Sequence, residues 1–411
     1  MKKRVVVTGM GILAANGNGA DAFWNSILKC KSGIAPIRLF DPTDFHIKVA
    51  GEVKDFDLAQ FVNGHINAKR LGRHTQLALA AAQLAIKHAG LSRDDLIRAE
   101  PIAVVVGVST SAIDVIEGGK ERMASLGPKK VSSYVVGACQ PNAVASMISA
   151  YLAVRTQILT ISTACPAGLD AVATAAATLR EGRADIAIAG GADAPVNALT
   201  VASFGSTGLV PSDVADPARA SCPFDRNRGG GVLAEGAGML VMETLDHALA
   251  RGATPLVEIT GFGSCGDMAE DDPGTGLESA MSMALANAGR LPKDVDYVCA
   301  HGPSDPIIDR VETAMVKGAL GDHAYKIPVS SIKGVTGNPL AAAGPLQIAA
   351  CALAMRDGLA PPTANYETPD PACDLDCVPN KPRRMKIRRA LVNIHGMGGG
   401  NSSVVVEAVA S

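Results

Sequence analysis

The stretch VVVTGMG at Val5–Gly11 returns as VEITGFG at Val257–Gly263, and this echo decides the fold. Further matches follow in the same order. The helix end IKHAGLSRDDL (Ile86–Leu96) is matched by LANAGRLPKDV (Leu285–Val295), and IAVVVGVS (Ile102–Ser109) by YVCAHGPS (Tyr297–Ser304). ISTACPAG (Ile161–Gly168) pairs with VSSIKGVTG (Val329–Gly337), each leaving a strand for an Ala-rich helix that closes on TLREG or AMRDG. ADIAIAGGAD (Ala184–Asp193) matches RALVNIHGMGGG (Arg389–Gly400). Ordered self-similarity of this kind marks a duplication. The sequence therefore predicts one α/β unit used twice, with pseudo-two-fold symmetry, in halves drawn at 1–250 and 251–411.

Short β-branched runs mark the strands: Arg4–Thr8, Ile102–Val108, Ile158–Ser162, Asp185–Ala189, Leu256–Thr260, Val295–Ala300, Ile327–Ser331, Ala390–Ile394 and Ser403–Glu407. Ala-rich helices at Thr75–Ala89, Leu169–Glu181, Leu277–Ala288 and Leu346–Arg356 alternate with them, which implies parallel pairing under covered faces. The N-terminal half carries long insertions, from Asp21 to about Arg73 and from Ser109 to about Pro141, expected to form lids, pocket walls or subunit contacts. Phe204–Gly238 reads as irregular.

Composition narrows the class. The 411 residues are 47% apolar and 19% charged with 43 Gly, which excludes a disordered or coiled-coil chain. Aromatics are only 3%, so the core must be made of small aliphatic side chains in close layers. A net charge of −2 argues against a polyanion-binding surface, so no nucleic acid is expected. Nine cysteines scattered through apolar segments suit reduced thiols of a cytoplasmic protein. The start MKKRVVVTGMG lacks a signal-peptide core, and no stretch is long and apolar enough to span a membrane.

Gly9, Gly11 and Ala14 give a GxGxxA pattern close to a dinucleotide fingerprint. That chemistry needs a second strand ending in an acidic residue. Here an amphipathic segment with Trp24, Ile27 and Leu28 follows instead. GMGGGN (Gly396–Asn401) lies between two strands rather than before a helix and reads as a loop. No nucleotide cofactor and no metal are expected.

The chemistry points to Cys165. It sits where ILTIST ends and an Ala-rich helix opens with Pro166. Free N–H groups and the helix dipole at such a place favour thiolate. A single cysteine among nine is ordinarily an inert buried thiol, but the other half adds His301 at the end of VDYVCA and Asn338 after VSSIKGVTG. The duplication brings these strand ends to one edge. Nucleophile, imidazole and amide together suit thioester exchange and polarisation of a carbonyl oxygen.

TAC at Thr163–Cys165 followed by AGLDA, AHG at Ala300–Gly302, SSIKGVTGNPLAAAG at Ser330–Gly344 and GMGGGNSS at Gly396–Ser403 resemble the β-ketoacyl-acyl-carrier-protein synthase family, type II-like branch. PFDRNRGGGVLAEGAGMLVME and PPTANYETPDPACDLDCVPN extend the likeness over the whole chain. The resemblance implies a thiolase-like duplicated fold, five-layered α-β-α-β-α with two mixed sheets, in a dimer that uses no cofactor. It implies decarboxylative condensation of an acyl thioester with a malonyl thioester. Cys165 would carry the acyl group, His301 would assist decarboxylation, and Lys333 would organise charge. The N–H groups of Cys165 and Met397 would form an oxyanion hole, with Asp309 and Glu312 supporting the site by ion pairs.

This chain departs from the family pattern around the cavity. The second histidine, in the TGH motif, is Asn338, giving a Cys-His-Asn set. AHGTST reads AHGPSD, so the threonines that contact the pantetheine arm become Pro303 and Asp305, the latter a free carboxylate that would repel phosphate. The usual Glu of the next helix is Gln347, Met397 replaces the gate phenylalanine of GFGG, and His395 stands where another phenylalanine is common. Pro166 replaces a small polar residue.

These changes point to a specialised fatty-acid or polyketide-type pathway. The alternatives are an acyltransferase or thioesterase-like relative using the same residues, or a non-condensing partner like a chain-length factor. Expected partners are an acyl carrier protein or coenzyme A thioesters, with Lys69, Arg70 and Arg73 as a basic docking patch. A second copy would complete a homodimer, or a second synthase-like chain a heterodimer.

Overall fold

The computed structural model describes residues 3–62, 66–211, 214–269 and 272–409. Its main strands are β1 (Val5–Ala14), β2 (Ile102–Gly107), β3 (Thr156–Ile161), β4 (Ile186–Asp193), β5 (Gly236–Thr244), β6 (Val257–Gly266), β7 (Tyr297–Cys299), β8 (Val329–Ser330), β9 (Arg389–Gly396) and β10 (Gly400–Glu407). They hydrogen-bond in the order β8-β7-β9-β10-β6-β1-β5-β4-β2-β3. The order is a mirror about its centre: β1 corresponds to β6, β2 to β7, β3 to β8, β4 to β9 and β5 to β10. Each sequence echo thus falls on a symmetry-related pair. Pairing is parallel around β2 and around β7, and antiparallel where β4 meets β5 and β9 meets β10. The two mixed sheets meet where Val6 and Val7 of β1 pair with Glu258 and Val257 of β6, which makes the ladder continuous.

Helices α1 (Arg73–His88), α2 (Ala143–Leu152), α3 (Ala167–Arg180), α4 (Gly276–Ala288), α5 (Ile308–Leu320) and α6 (Ala343–Asp357) complete the layers. Both α1 and α2 cover the outer face of the first sheet, α4 covers that of the second, and α5 packs on α4. Against strands of both halves lie α3 and α6, which also touch each other. They form the middle layer. Alternation along the strands feeds these layers. Ala103 and Val105 of β2 belong to the central core, while Ile102, Val104 and Val106 face the outer one. In β9 and β10, Val392, Ile394, Val404 and Val406 turn to the centre, and Leu391 and Val405 outward.

The shared TGMG and TGFG motifs have a packing cause. A Cβ at Gly11 would lie 1.8 Å from the Ala81 carbonyl oxygen, and one at Gly9 2.2 Å from that of Ala85. In the other half Gly261 and Gly263 face the carbonyls of Ala284 and Ala280 at 2.2 and 2.3 Å. Bare glycine lets α1 and α4 lie directly on their strands. Because β1 continues to Ala14, the GxGxxA residues are strand, not a phosphate-binding turn. Expected helices fall within a few residues of those observed. Strand β5 was not expected: the segment read as irregular ends on it, and Gly236 and Gly238 at its start read as loop rather than strand. Among the described residues no helix is long and apolar enough to cross a membrane.

Candidate active site

Strand β3 ends three residues before Ala164, whose φ of 60° turns the chain sharply. Pro166, with φ −66°, then caps α3. This corner holds Cys165 at the helix start, 6% exposed. Across from it, a Cβ on Gly396 would lie 2.5 Å from Pro166 Cδ and 3.2 Å from the Cys165 nitrogen. Glycine there lets the chain at Met397 come up to Cys165, and the N–H groups of Met397 and of Cys165 itself both favour the ionised sulfur. These are the two N–H groups expected to form an oxyanion hole. The thiolate expected here is not favoured. Burial pushes the Cys165 thiol up to about 11, with Asp193 adding to the rise, against the lowering by Lys333 and the two N–H groups. Desolvation outweighs the helix terminus.

Strand β7 delivers His301. Its backbone N–H and that of Gly302 donate to the two carboxylate oxygens of Glu312 at 2.8 and 2.7 Å. Lys333, 1% exposed, donates through Nζ to the His301 carbonyl (2.5 Å) and to Gln347 Oε1 (3.2 Å), and meets His301 Nδ1 at 3.3 Å. An ammonium is a donor only, so Nδ1 is the acceptor and Nε2 carries the hydrogen. Burial, then Lys333 and His395, hold the His301 pKa well below its ordinary value, so the ring is neutral. Burial also lowers Lys333 to about 8, against the pull of Glu312. Gln347 Nε2 in turn donates to the carbonyls of Cys299, Ala300 and Asn393, locking this corner to β9.

Cys165, His301 and Asn338 line one cavity of about 620 Å³. The Asn338 backbone is fixed by bonds to Val232 and Ala234, and its Oδ1 is buried with no partner among the described residues. The same cavity takes in His395, Met397, Pro303 and Asp305 together with an apolar wall of Phe204, Leu209, Val210, Leu233 and Leu340. Met397 stands at the rim, 52% exposed.

Several expected roles change. Asp305 is no free carboxylate: its Oδ1 accepts the N–H groups of Ile307 and Ile308 at 2.8 Å, opening α5. Asp309 and Glu312 hold the loop chiefly through backbone N–H groups, and Asp309 adds the expected ion pair, a buried one with Arg228. Asp309 takes those of Phe224, Ser304 and Asp305, and its closest cation, Arg228, is 3.8 Å away. Arg73 is bound to Glu235 at 2.6 Å and leaves the docking patch, while Lys69 and Arg70 stay exposed, Arg70 over the Tyr134 ring. Sequence reasoning missed Asp193, Asp267 and Asn401. Asp193 accepts N–H groups from Ser109, Thr110 and Ala341 and so ties the two halves together beside Cys165. Its place at the end of the GGAD echo was the available signal.

The family model described as "Beta-ketoacyl synthase, N-terminal domain" matches residues 2–248, and the C-terminal domain model matches residues 257–367. The chain is 37% identical over 412 residues to 3-oxoacyl-[acyl-carrier-protein] synthase 2 of Coxiella burnetii, covering 99% of both. It is 38% identical over 419 residues to the tetracenomycin polyketide synthase ketoacyl synthase alpha subunit of Streptomyces glaucescens, covering 98% of this chain and 97% of that one. Among solved structures, the ishigamide ketosynthase/chain length factor superposes with a TM-score of 0.94 at 32% identity over all of both chains. A type II polyketide synthase acyl-carrier protein in complex with its ketosynthase gives 0.90, also at 32% over all of both chains. The layered thiolase-like architecture is common to these structures. With its fold matched end to end and both domain models satisfied, this chain belongs to the β-ketoacyl synthase family.

Proposed function

We propose that this chain extends an acyl group by decarboxylative condensation, using Cys165, His301 and Asn338, in a specialised fatty-acid or polyketide-type pathway. One observation carries the reading: Cys165, at the start of α3, shares one cavity with Asn338 and with His301, whose Nε2 carries the hydrogen. In the first step the Cys165 sulfur attacks the carbonyl of an acyl thioester. The oxyanion forms against the N–H groups of Cys165 and Met397, and the carrier thiol leaves with the thiol proton. In the second, a malonyl thioester places its carbonyl oxygen between His301 Nε2–H and the Asn338 amide N–H. Loss of carbon dioxide puts enolate charge on that oxygen, and the enolate carbon attacks the acyl carbon and frees Cys165. Neither donor needs to move a proton, so an amide serves where a second imidazole stands in relatives. Asp309, Glu312, Lys333 and Gln347 are positioning residues behind His301.

The donor is carried by an acyl carrier protein or coenzyme A, in the cytoplasm. A carrier complex is what one similar structure contains, and exposed Lys69, Arg70, Lys129 and Lys130 offer charge for an acidic carrier. Strand β3 has an open edge with Ile158 exposed, whereas its mate β8 is covered by the chain at Asp376. An unpaired apolar edge calls for a partner, and a second copy in a dimer of two-half chains divided near residue 250 supplies it. Intact-mass measurement after incubation with an acyl thioester tests the first step. A single acyl adduct is expected on the native chain and none on Cys165→Ala. An adduct that survives Cys165→Ala removes Cys165 from the mechanism.

A further inference from the structure

His395 lies 7% exposed on the cavity wall, its ring edge-on to His301 with centroids 6.1 Å apart. Its Nδ1 is 3.0 Å from Asn401 Oδ1. The other end of that amide is fixed, because Asn401 Nδ2 donates to Asp267 Oδ1 (2.6 Å), the Gly399 carbonyl (3.1 Å) and the Cys265 carbonyl (3.2 Å). Oδ1 is thus the acceptor and the hydrogen belongs to His395 Nδ1. The Asp267 carboxylate, 3.9 Å from the same nitrogen, favours that arrangement. In the neutral ring the remaining nitrogen, Nε2, is then the one with the lone pair, and it has no protein hydrogen-bond partner among the described residues. His301 is the reverse case, with Lys333 on Nδ1 and a hydrogen on Nε2. One imidazole offers the cavity a donor, the other an acceptor. A phenylalanine at this place would offer neither.

The acceptor lies close to the reacting sulfur along the chain. Gly396 packs on Cys165, and His395 lines the cavity that holds that sulfur, its ring 6.1 Å from that of His301, so it faces groups held there. Thioester and alkyl chain contain no donor for it. A buried acceptor left without one is unfavourable, and the apolar part of the wall, Phe204, Leu209, Val210, Leu233 and Leu340, offers it no donor. Resting on the assignment of Cys165 as acyl acceptor, we propose that His395 is a specificity-determining residue whose Nε2 accepts a hydrogen bond from a hydroxyl near the thioester, so that 3-hydroxyacyl groups are taken in preference to unsubstituted ones.

The test compares kcat/KM for Cys165 acylation by N-acetylcysteamine thioesters of equal chain length: unsubstituted, 3-hydroxy and terminally hydroxylated. The native chain should favour the 3-hydroxy compound by about tenfold, the worth of one buried hydrogen bond. His395→Phe should erase that preference and speed the unsubstituted compound. His395→Gln, which keeps an acceptor, should retain part of it and serves if the phenylalanine variant does not fold. Equal rates for all three in the native chain overturn the proposal, as does an equal advantage for the terminal hydroxyl or a preference unchanged in His395→Phe. Acylation by none of them overturns the role of Cys165 itself, and this inference with it.

Discussion

Lys333→Met should cut condensation by at least about 100-fold while Cys165 acylation changes far less, because the lysine fixes which His301 nitrogen carries hydrogen. With Nζ gone, Nδ1 loses its donor, and the neutral ring is free to place its hydrogen there and turn a lone pair to the enolate. Methionine fills the space without a charge, and circular dichroism checks that the fold is kept. Above a pH of about 8, where Lys333 loses its proton, the native enzyme should move the same way. Its thiol ionises towards 11, so acylation rises with pH across the window in which condensation per acylated enzyme falls. Lys333→Met should lack that fall. Equal condensation by the variant and the native chain, at matched acylation, would show that the lysine is a packing residue only.

The second large effect concerns the fold. Gly11→Ala would drive a methyl group to within 1.8 Å of a backbone carbonyl of α1, which no rotamer can relieve. Helix and strand must separate along the contact that seals the outer core of the first half. Overpacking costs ~1–3 kcal/mol where side chains can give, and here the obstacle is main chain, so a loss of at least ~3 kcal/mol is expected. Gly266→Ala is the control, since nothing lies within 4 Å of its Cβ position and its φ is not positive. Urea unfolding should separate the two clearly, with the control within ~0.5 kcal/mol of the native chain. A mild effect of Gly11→Ala would mean that α1 does not lie on β1 as described.

The same glycines show what could be read from the chain alone. Motifs repeated because main chain touches main chain survive divergence, so the TGMG/TGFG echo was legible, and it falls on the paired strands β1 and β6. Strand β5 has no strand signal of its own, since Gly236 and Gly238 continue the irregular stretch before it, although its mate β10 reads as a strand and symmetry requires a counterpart. At the site, residue types pointed to Cys165, His301 and Asn338, and the family resemblance added Lys333. Their electrostatics did not follow, since the burial that raises the Cys165 thiol depends on packing from both halves. Asp305 differs from its reading for a similar reason: a carboxylate three residues before a helix reads equally as a cap or as an exposed charge. His395 was visible as a substitution, but its polarity depends on Asn401 and Asp267, contributed by two other strand ends.

The central claim is that a Cys-His-Asn cavity condenses rather than merely transfers. The most direct measurement is a single turnover of acylated enzyme with a carboxyl-labelled malonyl thioester, following labelled carbon dioxide and the 3-oxoacyl product together. Equal amounts of both, absent with Cys165→Ala, are predicted. Acyl transfer to the second thiol with no carbon dioxide released would contradict the claim and make the chain an acyltransferase.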